Sequence, residues 1–149
     1  MDPSSTEVLE KLRKYCAFQE RSHRDVGQKM WDMKIPSNLH DDILIELISS
    51  DFINEERFAK AYVRGKFRIK KWGRLKIVKG LKEHNISKPC IQIGLREIDD
   101  RQYMKNLRQC IDEKRLKLTE KNPWKRKSAI MRFAQQRGFE TELILELIG

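Results

Sequence analysis

The chain has 149 residues, 39% of them hydrophobic, and carries 32 Lys or Arg against 22 Asp or Glu for a formal charge of +10. That supports a thin core, better suited to long charged helices in an extended array than to a sphere, and the even spread of apolar residues excludes wholesale disorder. No apolar run is long enough to span a bilayer and no signal peptide is expected; Cys16, Cys90 and Cys110 form no CxxC pair and read as buried, reduced thiols of a cytosolic protein.

Apolar residues recur at a period of 3.6 almost throughout, and strict alternation is absent, so about nine helices are expected and no strands. Met1 to Ser5 reads as a loose end. Ser4 to Glu7 and Ser22 to Asp25 have the spacing of capping boxes. The Asp41-Asp42 pair precedes an apolar run and is most simply a helix N-terminus. Asn54 before Glu55 and Glu56 is an N-cap with an acidic first turn, and Asn122-Pro123 is an N-cap followed by Pro at the first helical position. Asn85 and Gly138 stand where helices should stop in a left-handed residue.

The chain repeats itself. Ile35, Ile86 and Phe139 serve as reference points; nine residues before them lie Val26, Ile77 and Ile130, and five before them Met30, Leu81 and Ala134. His23, Arg74 and Lys127 stand twelve before, and an apolar cluster follows each reference point. The first copy has about three extra residues around Pro36 to Leu39. Each copy reads as a longer helix followed by two shorter ones. The expected fold is all-α: three tandem three-helix, helix-turn-helix-like repeats over 1–53, 54–98 and 99–149, stacked into an elongated, curved array.

Charge is concentrated in the second copy. Lys60 to Lys82 holds ten Lys or Arg and no Asp or Glu, while the rest of the chain balances. A helical wheel places Phe58, Ala61, Tyr62, Gly65, Ile69 and Trp72 on an apolar stripe, with Lys60, Arg64, Arg68 and Lys71 opposite; Phe67 falls off the stripe. One concentrated basic band in a balanced protein points to an acidic or polyanionic partner met by one surface, against the blander reading of a solvated face. The candidate contact residues are Arg57, Lys60, Arg64, Lys66, Arg68, Lys70, Lys71, Trp72, Arg74, Lys76 and Lys79. A second basic stretch adds Lys125, Arg126, Lys127 and Arg132, which could line the same face. For Arg57 the competing role is a salt bridge to a neighbouring repeat, and for Trp72 it is core or hinge packing. Gly73 reads as a turn and Gly80 as a close helix contact.

Catalysis has little support. His23, His40 and His84 have no ligand spacing, and Lys71-Trp72-Gly73-Arg74 matches neither phosphate-loop pattern. No cofactor and no metal are expected.

The stretch from Leu47 to Arg64, with its apolar pair, linker, Glu55-Glu56, Arg57-Phe58-Ala59 and Tyr62-Val63-Arg64, resembles the signature of the RecX family. Lys71-Trp72-Gly73-Arg74-Leu75-Lys76-Ile77 with Leu81 and Ile86 is similar to the family's second signature, although Arg74 stands where Pro is common. Arg21 to Val26 with Lys29-Met30 resembles the first-repeat helix. The resemblance implies tandem three-helix repeats and a negative regulator of the RecA recombinase. Such a protein binds the RecA filament on DNA and inhibits its extension, ATPase and strand exchange in recombination and the SOS response. It implies a cytoplasmic monomer that spans more than one recombinase subunit. The alternative is a sequence-independent DNA-binding helical protein.

Overall fold

The computed structural model describes residues 3–149, with side chains from Thr6 onward. Met1, Asp2 and the side chains of Pro3 to Ser5 lie outside the described residues, and with them the capping box expected at Ser4; α1 already begins at Pro3, inside the stretch expected to be loose. The described residues form nine α-helices and no strand. In chain order these are α1 (Pro3–Phe18), α2 (His23–Asp32), α3 (His40–Ser49), α4 (Glu55–Gly65), α5 (Arg74–Glu83), α6 (Lys88–Leu95), α7 (Asp100–Lys117), α8 (Pro123–Gln136) and α9 (Thr141–Ile148). A 3₁₀ turn at Ser37–Leu39 takes up the extra residues of the first triplet, and a π-helical turn at Lys66–Lys70 extends α4.

Local chemistry sets the helix starts. Ser22 and Asp25 form a reciprocal capping box on α2. Asn54 accepts from the Arg57 N–H, and Asn122 from the Trp124 and Lys125 N–H groups with Pro123 at the first helical position. Asp41 and Asp42 occupy the first turn of α3.

The three copies keep their register in space. Val26, Ile77, Ile130, Met30, Leu81, Ala134, Ile35, Ile86 and Phe139 are all buried. The second helix of each triplet also ends the same way. Lys34, Asn85 and Gly138 take φ of 58°, 59° and 95°. The next N–H then returns to the carbonyl five residues back, Ile35 to Met30 at 3.0 Å, Ile86 to Leu81 at 3.1 Å and Phe139 to Ala134 at 3.2 Å. Asp51, at φ 61°, closes α3 by the same device, with the Phe52 N–H on the Leu47 carbonyl at 2.8 Å. Lys71, at φ 57°, instead closes the π-helical turn with the Trp72 N–H returning six residues, to the Lys66 carbonyl, at 3.1 Å.

The core is divided unequally. Leu9, Leu12, Cys16, Val26, Met30, Ile35, Leu47 and Ile53 form one cluster within α1–α3 and the start of the next linker. A single larger cluster runs through α4–α9, from Phe58 and Phe67 to Tyr103, Phe139 and Ile144. The accessible surface is 9800 Å², against about 8,000 Å² for a compact monomer of this mass, as an extended array of triplets requires.

The expected apolar stripe of α4 needs correction. The buried row is Ala59, Val63 and Phe67, with Phe58; Phe67 is 4% exposed, Ile69 is 80% exposed, and Ala61, Tyr62 and Gly65 are half-buried. Two causes act. Gly94 on α6 carries no side chain, so α4 approaches closely through Ala59 and Val63; a Cβ there would stand 3.1 Å from each. The π-helical turn takes more residues per turn than the wheel assumes, bringing Phe67 inward and leaving Ile69 outside.

Candidate functional site

Two joints between triplets absorb part of the predicted site. At the first, the Arg57 guanidinium reaches Glu20 at 2.5 Å, the Asp51 carboxylate at 3.1 Å and the Asp51 carbonyl at 2.9 Å. Burial opposes its charge, but Glu20 and Asp51 outweigh this and hold its pKa above the usual value. Arg24 donates to the Glu83 carbonyl, and Asp25 lies 3.3 Å from His84 Nε2. Arg57 therefore takes the inter-repeat salt-bridge role weighed from the sequence.

At the second joint backbone meets backbone. The Gly73 N–H donates to the Arg137 carbonyl at 2.7 Å and the Leu75 N–H to the Gly138 carbonyl at 2.9 Å. A Cβ on Gly73 would lie 2.2 Å from the Gly138 carbonyl carbon, so this glycine is required by close approach and not by its backbone conformation. Arg74 completes the joint. Its N–H donates to the Tyr103 hydroxyl at 2.9 Å, its guanidinium contacts Glu140 at 2.9 Å and Asp100 at 2.8 Å, and it stacks 3.9 Å from the Tyr103 ring centroid. Tyr103 in turn donates to Glu140. Burial, then that hydrogen bond, pushes the Tyr103 phenol well above its ordinary pKa. The two joints fall at equivalent segments of successive repeats, since Arg24 and Leu75 stand eleven residues before a reference position and His84 and Arg137 two before. The first, however, is made through the side chains of Arg24 and Asp25, and the second through backbone N–H groups of Gly73 and Leu75.

The remaining band residues divide by environment. Lys60 pairs with Glu56 at 3.3 Å, and Arg64 lies 4.0 Å from Glu97, so carboxylates from outside the band reach part of it. Arg68, Lys70, Lys71 and Lys79 are exposed, and none of them is in a salt bridge among the described residues. Lys71 Nζ donates to Gln109 at 3.3 Å. Trp72 is half-buried, with Lys66 Nζ 4.7 Å and Lys76 Nζ 4.4 Å from its ring centroid. Packing and an exposed edge thus coexist in one residue. Gly80 makes the expected close contact, leaving room for the Tyr62 hydroxyl.

Trp72 opens onto a cleft of about 380 Å³ shared by α4, α5 and α8, whose lining includes Tyr62, Leu75, Lys79 and Gln136. A second cleft of about 520 Å³ lies at the first joint, where Arg21 and Asp25 face Lys66, Ile69 and Lys70. Tyr62 lines both. Of the second basic stretch, Lys125 and Arg132 are exposed, Lys127 is half-buried, and Arg126 donates to the Glu120 carbonyl at 2.9 Å. Sequence reasoning missed Tyr62 and Leu75 as cleft residues. The one available signal was Leu75, an apolar residue out of phase with Ile77 and Leu81 on α5.

Among the described residues no group of three or more His, Cys, Asp or Glu is placed to hold a metal ion. No helix among them is long and apolar enough to cross a membrane.

Comparison with known proteins gives a consistent picture. The model of the RecX second three-helix domain matches residues 54–95, and that of the RecX third three-helix domain matches residues 102–148. A crystal structure of regulatory protein RecX superposes with a TM-score of 0.86 at 17% identity, covering 96% of this chain and 71% of that one. RecX from Lactobacillus salivarius gives 0.81 at 19% identity, covering 96% and 93%. At these identities the structural likeness is one of fold. No curated protein sequence matches the chain. The two domain matches together span more than half of the sequence, and the chain belongs to the RecX family.

Proposed function

We propose that the protein is a negative regulator of the RecA recombinase. It binds the RecA filament on DNA and inhibits filament extension, ATP hydrolysis and strand exchange during recombination and SOS repair. The observation that carries this, on a chain of the RecX family, is the set of exposed cations Arg68, Lys70, Lys71 and Lys79, unmatched by carboxylates, on a segment with no acid of its own. Such a surface steers toward and holds an acidic or polyanionic groove. The mechanism is steric and electrostatic: an array of triplets, acting as a cytoplasmic monomer, lies across neighbouring recombinase subunits and holds the filament unproductive.

The test is the DNA-stimulated ATPase of the cognate recombinase, titrated with the protein and with the Arg68→Gln/Lys70→Gln/Lys71→Gln/Lys79→Gln variant. Arg57 and Arg74 are left intact because they hold the joints. Substoichiometric inhibition that the folded variant loses supports the reading. Absence of inhibition, with salt-sensitive binding to bare DNA, sinks it and favours a DNA-binding repeat protein.

A further inference from the structure

Trp72 does something the basic band alone does not. Its ring gathers two ammonium groups, Lys66 from the π-helical turn and Lys76 from α5, at 4.7 Å and 4.4 Å from its centroid. The two charges therefore lie no more than about 9 Å apart and repel, and the electron-rich indole offsets that cost. Neither lysine is in a salt bridge among the described residues. Beneath them the cleft has an apolar floor of Tyr62, Trp72 and Leu75, the last 58% exposed.

The cleft continues along α8. Gln136 lines it, and helical spacing puts Arg132 and Lys125 on the same α8 face as Gln136, both exposed. Eleven residues at 1.5 Å carry this strip about 16 Å from the cleft, the length of about five extended residues. The arrangement is an apolar centre with a cationic rim, as at protein interfaces.

We propose that this strip docks an extended acidic segment of a protein partner. An apolar side chain of that segment sits on the Tyr62–Trp72–Leu75 floor, and flanking carboxylates meet Lys66, Lys76 and Arg132. The proposal rests on the filament-regulator reading and specifies the chemistry of the contact. Three observations favour a peptide over a nucleic acid. The indole already holds two ammonium groups, so a base could stack there only by displacing them. The exposed aliphatic side chain of Leu75, beside Tyr62 and Trp72, suits an apolar side chain better than sugar and phosphate. Glu83 lines the same cleft, where it would repel an unbroken phosphate chain yet tolerate a peptide whose charge is intermittent.

Fluorescence anisotropy tests this with three labelled probes of about twelve units each, long enough for cleft and strip. They are a peptide of Glu-Glu-Leu repeats, an all-Glu peptide and single-stranded oligo(dT). The Glu-Glu-Leu peptide should bind about tenfold tighter than all-Glu. Lys66→Gln/Lys76→Gln, two surface changes that leave the core intact, should weaken it by about tenfold or more, and Leu75→Ser should abolish the preference for Leu. Failure of the wild type to bind the peptide, equal affinity for oligo(dT), or unchanged affinity in both variants overturns the proposal. The recombinase ATPase separates the two readings. If the wild type does not inhibit, the filament reading fails and peptide binding is judged alone. If the wild type inhibits and the combined Lys66→Gln/Lys76→Gln/Leu75→Ser protein inhibits equally, the docking strip fails and the filament reading stands.

Discussion

Gly73→Ala is a severe test of the backbone junction between α5 and the α8–α9 turn. Gly73 sits at φ −76° and ψ 164°, a conformation any residue adopts, so alanine introduces no backbone strain of its own. Its methyl would nevertheless stand 2.2 Å from the Gly138 carbonyl carbon and 2.3 Å from the Gly138 oxygen and the Phe139 nitrogen. All three are backbone atoms, so no side chain can swing away. The junction must open, stretching the hydrogen bonds to Arg137 and Gly138 at 2.7 Å and 2.9 Å. Two such bonds at about 1 kcal/mol each and an overpacking cost of about 1–3 kcal/mol give a loss of about 3–5 kcal/mol. For a chain of this length that lowers Tm by about 10–15 °C. Urea and thermal unfolding followed by circular dichroism measure it. The control is Gly27→Ala inside α2, where no heavy atom lies within 4 Å of the new methyl; it should gain up to about 1 kcal/mol. A Gly73→Ala loss below about 1 kcal/mol refutes the close approach.

Other perturbations read other parts of the molecule. The buried Tyr103 phenol keeps its proton to higher pH in the folded state than in the unfolded one, so its contribution is complete below pH about 10 and is lost as pH rises further. Tyr103 contributes up to about 1.4 kcal/mol per pH unit to the fall there, beside smaller shares from Cys110, Tyr15 and Tyr62, so Tyr103→Phe should make the slope in urea titrations shallower by about that amount. Burial pushes the Cys110 thiol up to about 11 and raises that of Cys16, whereas Cys90 is half-buried. Disulfide-exchange reagents at pH 8 should modify one thiol quickly in the folded protein and three after unfolding; three fast thiols would contradict the packing. Lys34 is exposed at φ 58°, so Lys34→Gly should raise stability by about 0.5–1 kcal/mol, whereas a loss would show that the side chain earns its place by an unseen contact. Arg57→Ala should speed hydrogen exchange at the first joint while the amides of α7–α9 keep their protection, and uniform loss would mean that the two cores unfold as one.

Much of this was legible because the repeats are written in apolar spacing and in caps. Val26, Ile77 and Ile130 share a column because they fill the same place in successive triplets. Asn54, Asn122 and the Ser22–Asp25 pair announce helix starts through local hydrogen bonds that need no knowledge of the fold. Asn85, Gly138 and, less strongly, Asp51 tolerate the left-handed turn, but Lys34 and Lys71 adopt it without any such preference, because the fold imposes it. Long-range partners were hidden. The segment Lys60 to Lys82 contains no acid, yet Glu97, Asp100 and Glu140 arrive from later in the chain to meet Arg64 and Arg74. The wheel misplaced Phe67 and Ile69 because a π-helical turn breaks its fixed step, and the sequence of α4 carries no mark of that turn.

The division of the core also bears on how the chain is made. As it leaves the ribosome, α1–α3 can close its own cluster as soon as Ile53 is available. The α4–α6 triplet has no such independence. Arg74 meets Asp100 and Tyr103 within thirty residues, but Gly73 remains without its partner Arg137, and Arg74 without Glu140, until more than sixty residues later. The basic segment is thus synthesised well before the neighbour that anchors it, and its high charge keeps that waiting stretch soluble and apart from copies of itself.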